Sequence, residues 1–182
     1  MSDSFHIEGA EVLFRSHIFA VERRTVRHDE TTFERDVVLH PGAVAVLAIN
    51  DAGEVGFIRQ YRATFDELLL EIPAGTQDVP GESALETAKR ELLEEIGYEA
   101  VEWTLLGRFM NSPGWTNQVM TIYEARNLTP RERAPAGPEE RSSSVHWLSP
   151  TLIRETLRSA NAMDLTTALA LHRVFGAFLD QS

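Results

Sequence analysis

Residues 71–98 read Glu71-IPAGTQDVPGESALETAKRELLEEIG-Tyr98, and their punctuation divides them into a strand end, a glycine loop, a helix and a stop. Ser83-Ala-Leu-Glu86 has capping-box spacing, in which the Ser hydroxyl accepts from an early backbone N–H and the Glu reaches back, so the helix is expected to begin at Ala84. Gly97 is expected to end it in the left-handed conformation that glycine adopts without strain. Between these caps, at helical periodicity, Leu85, Ala88, Leu92, Leu93 and Ile96 fall on one arc, and Glu91, Glu94 and Glu95 are read as a second, acidic arc.

Glu82 stands in the loop just ahead of those three acids. Carboxylates this close repel by roughly 3 kcal/mol per pair at ~5 Å and an effective dielectric near 20. They also sit in the C-terminal half of the helix, where the macrodipole disfavours negative charge. A solvated acidic face beside Lys89 and Arg90 is one reading of such a cluster. The other is a cation site, since hard oxygen ligands suit Mg2+, which binds few carboxylates, keeps several waters and takes further ligands from phosphates.

Outward from this stretch, the 182 residues are of ordinary size for one domain and long enough to bury a core. The chain has no cysteine, which excludes disulfides and thiolate metal sites and fits a reducing compartment. The start, MSDSFHIEGAEVLF, lacks a basic segment followed by an apolar run, and no stretch approaches 18 uninterrupted apolar residues, so a cytoplasmic protein is expected. A net charge of -11 argues against nucleic acid or an anionic membrane as partner, because both require basic surfaces. The six histidines, at 6, 17, 28, 40, 146 and 172, show no metal-ligand spacing and read as structural or surface residues. No Ser or Cys nucleophile motif is present, which leaves water as the nucleophile for any hydrolysis.

In chain order, Glu11–His28 suggests one or two strands, a turn follows at Asp29–Thr32, and Phe33–Leu39 suggests another strand. Ala43–Ile49 is a near-continuous apolar run, as expected of a strand buried on both faces, and is expected to form a central hairpin with Glu54–Tyr61. Val101–Phe109 and Gln118–Ala125 read as strands around the turn chemistry of Asn111-Ser-Pro-Gly114. Asn127–Ser143, with three prolines, reads as a long loop, followed by a short strand at Ser144–Leu148 and helices at Thr151–Ser159 and Leu165–Leu179. The expected class is α/β: a mixed sheet with helices packed on it.

Gly75, Glu82, Arg90-Glu91-Leu92, Glu94-Glu95 and Gly97-Tyr98 together resemble the signature of the Nudix hydrolases. The usual pattern has five residues between the first Gly and the first Glu, whereas Thr76–Gly81 makes six here. The extra residue lies ahead of the helix and leaves its acids in register. The resemblance implies an α/β/α sandwich over residues 41–182, with residues 1–40 as an antiparallel strand extension used for dimerisation. It narrows to the ADP-ribose pyrophosphatase branch through Glu71-Ile-Pro-Ala-Gly75, Arg59-Gln-Tyr-Arg62, and Pro113 placed 16 residues after Gly97.

That resemblance implies hydrolysis of ADP-ribose to AMP and ribose 5-phosphate with Mg2+ or Mn2+. Glu91 and Glu95 become metal ligands, with Glu94, Glu82 and the Ala74 carbonyl as further ones. Arg62 and Arg35 resemble arginines that grip the phosphates, Phe33 stands where an aromatic stacks on adenine, and Pro113-Gly114 marks a substrate loop. The family's N-terminal strands commonly cross to a second subunit, which implies a homodimer with Arg35 serving the neighbouring site. For the general base, the loop ahead of Ser144 supplies Glu139 and Glu140, with Glu139 placed first and Glu94 as the next candidate. The alternatives are the same chemistry on GDP-mannose or ADP-glucose, or a Nudix-fold module that senses a nucleotide without cleaving it.

Overall fold

The computed structural model describes residues 4–159 and 163–176. Three strands come first: β1 (His6–Arg15), β2 (Ala20–His28) and β3 (Thr31–Leu39), an antiparallel meander in the order β1-β2-β3. The meander meets the rest of the chain through the end of β3, where Val38 N–H donates to the Trp115 carbonyl and the Thr116 hydroxyl and Asn117 N–H both donate to the Val38 carbonyl.

The body is built on β4 (Ala43–Ala48), whose six residues are all buried. After it come β5 (Val55–Arg62), β6 (Glu67–Glu71), β7 (Ala74–Thr76), α1 (Ala84–Ile96), β8 (Tyr98–Met110), β9 (Val119–Pro130), α2 (Pro138–Ser142), β10 (Ser144–Leu148), α3 (Pro150–Ser159) and α4 (Leu165–Phe175). One sheet has the order β7-β4-β9-β8, with β4 parallel to β9 and antiparallel to β7, and is therefore mixed. A second has the order β10-β5-β6 and is antiparallel throughout.

The two-residue period of β4 explains the layers. Ala43, Ala45 and Leu47 point into a core shared with Phe57, with Ile153 of α3 and with Ala170 and Leu171 of α4. Val44, Val46 and Ala48 point the other way, onto Ala88, Leu92 and Ile96 of α1. A strand sandwiched between helices on both faces must be apolar at every position, and that is why the run from Ala43 is uninterrupted. Each fully buried Leu or Ile contributes about 1.5–3 kcal/mol from burial. The α/β/α architecture expected from the signature is what the chain adopts.

Helix α1 starts and stops where its caps require. The Glu86 N–H donates to the Ser83 hydroxyl at 3.3 Å, the Ser83 N–H donates to the Glu86 carboxylate at 2.7 Å, and Gly97 closes the far end at φ 74°. The acids are not on a face opposite the core, however. At 100° per residue Glu95 lies only ~20° from Ala88 and Glu91 only ~60°, so both belong to the buried arc, and Leu85 and Leu93 are half-buried at its margin.

Two other expectations are corrected. β4 and β5 do not form a hairpin: the edges of β4 are taken by β7 and β9, those of β5 by β6 and β10, and only an isolated bridge joins Ile49 to Val55. The segment read as a loop from Asn127 is strand as far as Pro130, because Tyr98, Glu99 and Ala100 supply a paired edge. Pro138, suited to a first helical turn, then opens the short α2. Leu165–Phe175 is helical as expected, and the part of that reading beyond Gly176 lies outside the described residues.

Candidate active site

The Glu71-Ile-Pro-Ala-Gly75 stretch crosses from the second sheet to the first and lays β7 alongside α1. Ile72 N–H donates to the Thr167 hydroxyl of α4 at 3.1 Å, and the Pro73 carbonyl accepts from Val46 N–H at 2.8 Å. Proline, with no N–H of its own, leaves no orphan donor at this crossing. Ala74 N–H then donates to the Glu95 carboxylate at 2.8 Å. Gly75 faces Glu91 so closely that a Cβ there would lie 2.0 Å from the Glu91 carboxyl carbon. Glycine at 75 is thus a steric requirement for Glu91 to lie against β7.

Glu91 and Glu95 are 6% and 3% exposed, and their carboxylates face a cavity of about 740 Å³. Burial pushes Glu91 up to about 7; Arg90 opposes the shift and Glu94 adds to it. Burial also holds Glu95 well above the usual carboxylate range, against the Ala74 N–H, with Glu91 and Glu140 raising it further. Two buried carboxylates whose ionisation is unfavourable, next to a third at Glu94, form a site whose positive charge is too little to neutralise them.

The resident cation is Arg90. Its Nη1 donates to Glu91 at 2.7 Å and to Glu94 at 3.2 Å, its Nε to Glu82 at 3.3 Å, and its Nη2 to the Thr76 carbonyl at 3.4 Å. Glu82 also accepts from the Thr87 hydroxyl at 3.1 Å and does not line the cavity. Among the described residues no three His, Asp or Glu side chains are gathered closely enough to hold an ion by themselves. The chemistry of the donor set, hard oxygens with too little compensating charge, fits a divalent ion that completes its shell with water and substrate oxygens.

Opposite α1, the cavity is lined by the end of β5 and by α2. Arg62 donates through Nε to Glu71 at 2.7 Å, and the buried Gln60 amide reaches the same carboxylate at 3.4 Å. Glu139 and Glu140 both border the cavity, but Glu139 is exposed while Glu140 is half-buried and accepts from Ala136 N–H at 2.7 Å. The charge of Glu140 raises both Glu91 and Glu95 further.

One cavity therefore collects Ala74, Glu91, Glu94, Glu95, Arg62, Glu139 and Glu140 from four separate elements. Phe33, Arg35, Pro113 and Gly114 do not line it within the single chain. Arg35 lies 4.5 Å above the Phe33 ring, and Phe5 meets Phe33 edge-on at 6.4 Å. Pro113 and Gly114 are exposed in the turn that the end of β3 grips. The sequence reading did not assign a site role to Glu71 or to Arg90, although Arg90 immediately precedes a metal-type acid, nor to His17, which borders the cavity from the β1–β2 turn. Among the described residues no helix is long and apolar enough to cross a membrane.

The NUDIX domain family model matches residues 39–167. The chain is similar to the ADP-ribose pyrophosphatase of Mycobacterium tuberculosis (strain ATCC 25618 / H37Rv), with 35% identity over 178 residues that cover 96% of this chain and 86% of that protein. It is also similar to the methanol dehydrogenase activator of Bacillus methanolicus, at 34% over 140 residues, 77% of this chain and 75% of the other. The crystal structure of an ADP compounds hydrolase superposes with a TM-score of 0.82 at 25% identity, covering 98% of this chain and 96% of that one. Matches of this extent, to a family model over most of the chain and to a relative over nearly all of it, make the chain a member of the Nudix family and a Nudix hydrolase.

Proposed function

We propose that the protein is a cytoplasmic ADP-ribose pyrophosphatase, cleaving the diphosphate to AMP and ribose 5-phosphate with Mg2+ or Mn2+. The observation that carries the reading is the cavity in which buried, under-neutralised Glu91 and Glu95 face Arg62 and Glu140. The choice of ADP-ribose is supported by the names of the Mycobacterium tuberculosis relative and of the structural neighbour, both of which concern ADP compounds.

Glu91, Glu94 and Glu95, with the Ala74 carbonyl, would hold the ion; Glu82 steadies Arg90 beside them. When bound, the divalent ion neutralises the diphosphate and acidifies a water. Arg62, held in place by Glu71, presents its remaining N–H groups to phosphate oxygens. Glu140 accepts a proton from the attacking water at its carboxylate, a role for which it is better placed than the exposed Glu139. The exposed apolar side chains of the meander, Phe5, Ile7, Phe14 and Phe19 among them, support a homodimer in which Phe33 and Arg35 serve the partner's cavity.

A panel of ADP-ribose, ADP-glucose, GDP-mannose and nucleoside triphosphates, assayed with Mg2+ and with Mn2+, tests the reading. ADP-ribose should give the highest kcat/KM; faster turnover of GDP-mannose would overturn the substrate assignment, and binding without turnover would favour a sensing module. Glu140→Gln should lower kcat by about 10²–10⁴ while Glu139→Gln stays near native. The reverse pattern would move the base to Glu139.

A further inference from the structure

Between β9 and α2 the chain carries Arg133, half-buried and outside the cavity, which makes no ion pair among the described residues. Both of its terminal nitrogens are engaged, while its buried Nε has no hydrogen-bond partner among the described residues. Nη2 donates to the Glu140 carbonyl at 3.0 Å and to the Ser143 hydroxyl, and Nη1 donates to the Ser143 carbonyl at 3.2 Å. Ser143 in turn donates to the same Glu140 carbonyl through its hydroxyl at 2.8 Å and its N–H at 3.1 Å. A charged side chain that holds the Glu140 carbonyl of a one-turn helix, and the hydroxyl and carbonyl of the Ser143 that follows it, pins the backbone of that turn, and with it the direction in which the Glu140 side chain leaves.

The other end of this brace is α1. Arg131 N–H donates to the Gly97 carbonyl at 2.8 Å, and a Cβ on Gly97 would come within 3.3 Å of the Arg133 Cβ. The segment 131–133 therefore joins the stop of the helix that carries Glu91 and Glu95, through Arg131, to the turn that carries Glu140, through Arg133. We infer that Arg133 is a positioning residue for the hydrolysis: it sets the Glu140 carboxylate against the acids of α1 and never touches substrate. The inference rests on the reading of Glu140 as the base.

The test uses full-length protein, ADP-ribose and Mg2+, with R133M, E140Q, the R133M/E140Q double variant and thermal melting of each. R133M should lower kcat by about 10- to 100-fold, the scale of a misplaced reacting group, with KM within about twofold of native. Guanidinium ion at a non-denaturing concentration should recover part of that loss in R133M and none in E140Q. The double variant should be no slower than E140Q alone, because a brace for an absent carboxylate has nothing left to hold. If R133M fails to fold, S143A removes the shared hydroxyl while leaving Arg133 in place, and it should lower kcat several-fold with KM unchanged. Native kcat in R133M or S143A, or losses that multiply in the double variant, would overturn the positioning role. Native turnover in E140Q would instead remove the base assignment on which the role depends.

Discussion

Glu91 is a residue whose burial is costly to the free protein. Its carboxyl has a pKa pushed up to about 7 from an ordinary 4.5, chiefly by burial. An acid whose folded-state pKa lies above its unfolded one is protonated in both states below pH 4.5 and contributes no penalty there. Between 4.5 and about 7 the unfolded chain ionises first, so stability falls as pH rises through that window. The loss is on the order of 3 kcal/mol at most for a shift of this size. In metal-free buffer Glu91→Gln should therefore melt higher than the native protein at pH 8, by several degrees, and about equally at pH 5. A melting difference that does not change with pH would show that burial of the Glu91 charge carries no such cost. The same substitution should weaken divalent-cation binding, since Glu91 is among the residues proposed to hold the ion.

At the scale of elements, α1 has two caps with different duties. The Ser83–Glu86 box only starts the helix, and Ser83→Ala should cost about 1 kcal/mol and leave turnover unchanged. Gly97 both ends the helix, at φ 74°, and makes room for the following segment, since a Cβ would sit 3.0 Å from the Arg131 carbonyl oxygen. Gly97→Ala should cost stability by about 1–2 kcal/mol from the left-handed backbone alone. It should also lower kcat, because the displaced segment is the one that braces α2. Melting curves and steady-state kinetics on the two variants separate these duties: equal kcat values for both would mean that the contact between Gly97 and residues 131–133 is structural only.

For the whole molecule, the proposal of a dimer turns on the meander, which leaves Phe5, Ile7, Val12, Leu13, Phe14, Ile18 and Phe19 exposed. Free strand edges and apolar side chains of this kind favour association. If Arg35 serves the partner's cavity, Arg35→Ala and Glu91→Gln homodimers should each be nearly inactive. Mixing and re-equilibrating them should restore up to about a quarter of native activity, since half the dimers are mixed and each mixed dimer has one complete site. Light scattering that reports a monomer at micromolar concentration, or no recovery on mixing, would rule out an arginine acting across subunits.

Local rules alone determined the start and stop of α1, the double-sided burial of β4 and the cluster of acids. A capping box, a glycine cap and an unbroken apolar run act within a few residues, so nothing distant was needed to read them. The sequence also carried Gly75, although not its reason: the 2.0 Å approach to Glu91 exists only once β7 lies against α1. Tertiary structure decided what depends on packing between elements. Helical spacing by itself put Glu91 and Glu95 on the arc of Ala88; tertiary structure decided that this part of the arc borders a cavity beside β7. It separated β4 from β5, because other strands compete for both edges of each. It turned the end of an expected loop into α2 and distinguished the half-buried Glu140, whose carboxylate accepts from Ala136 N–H, from the exposed Glu139, a difference that no spacing between two adjacent glutamates could encode.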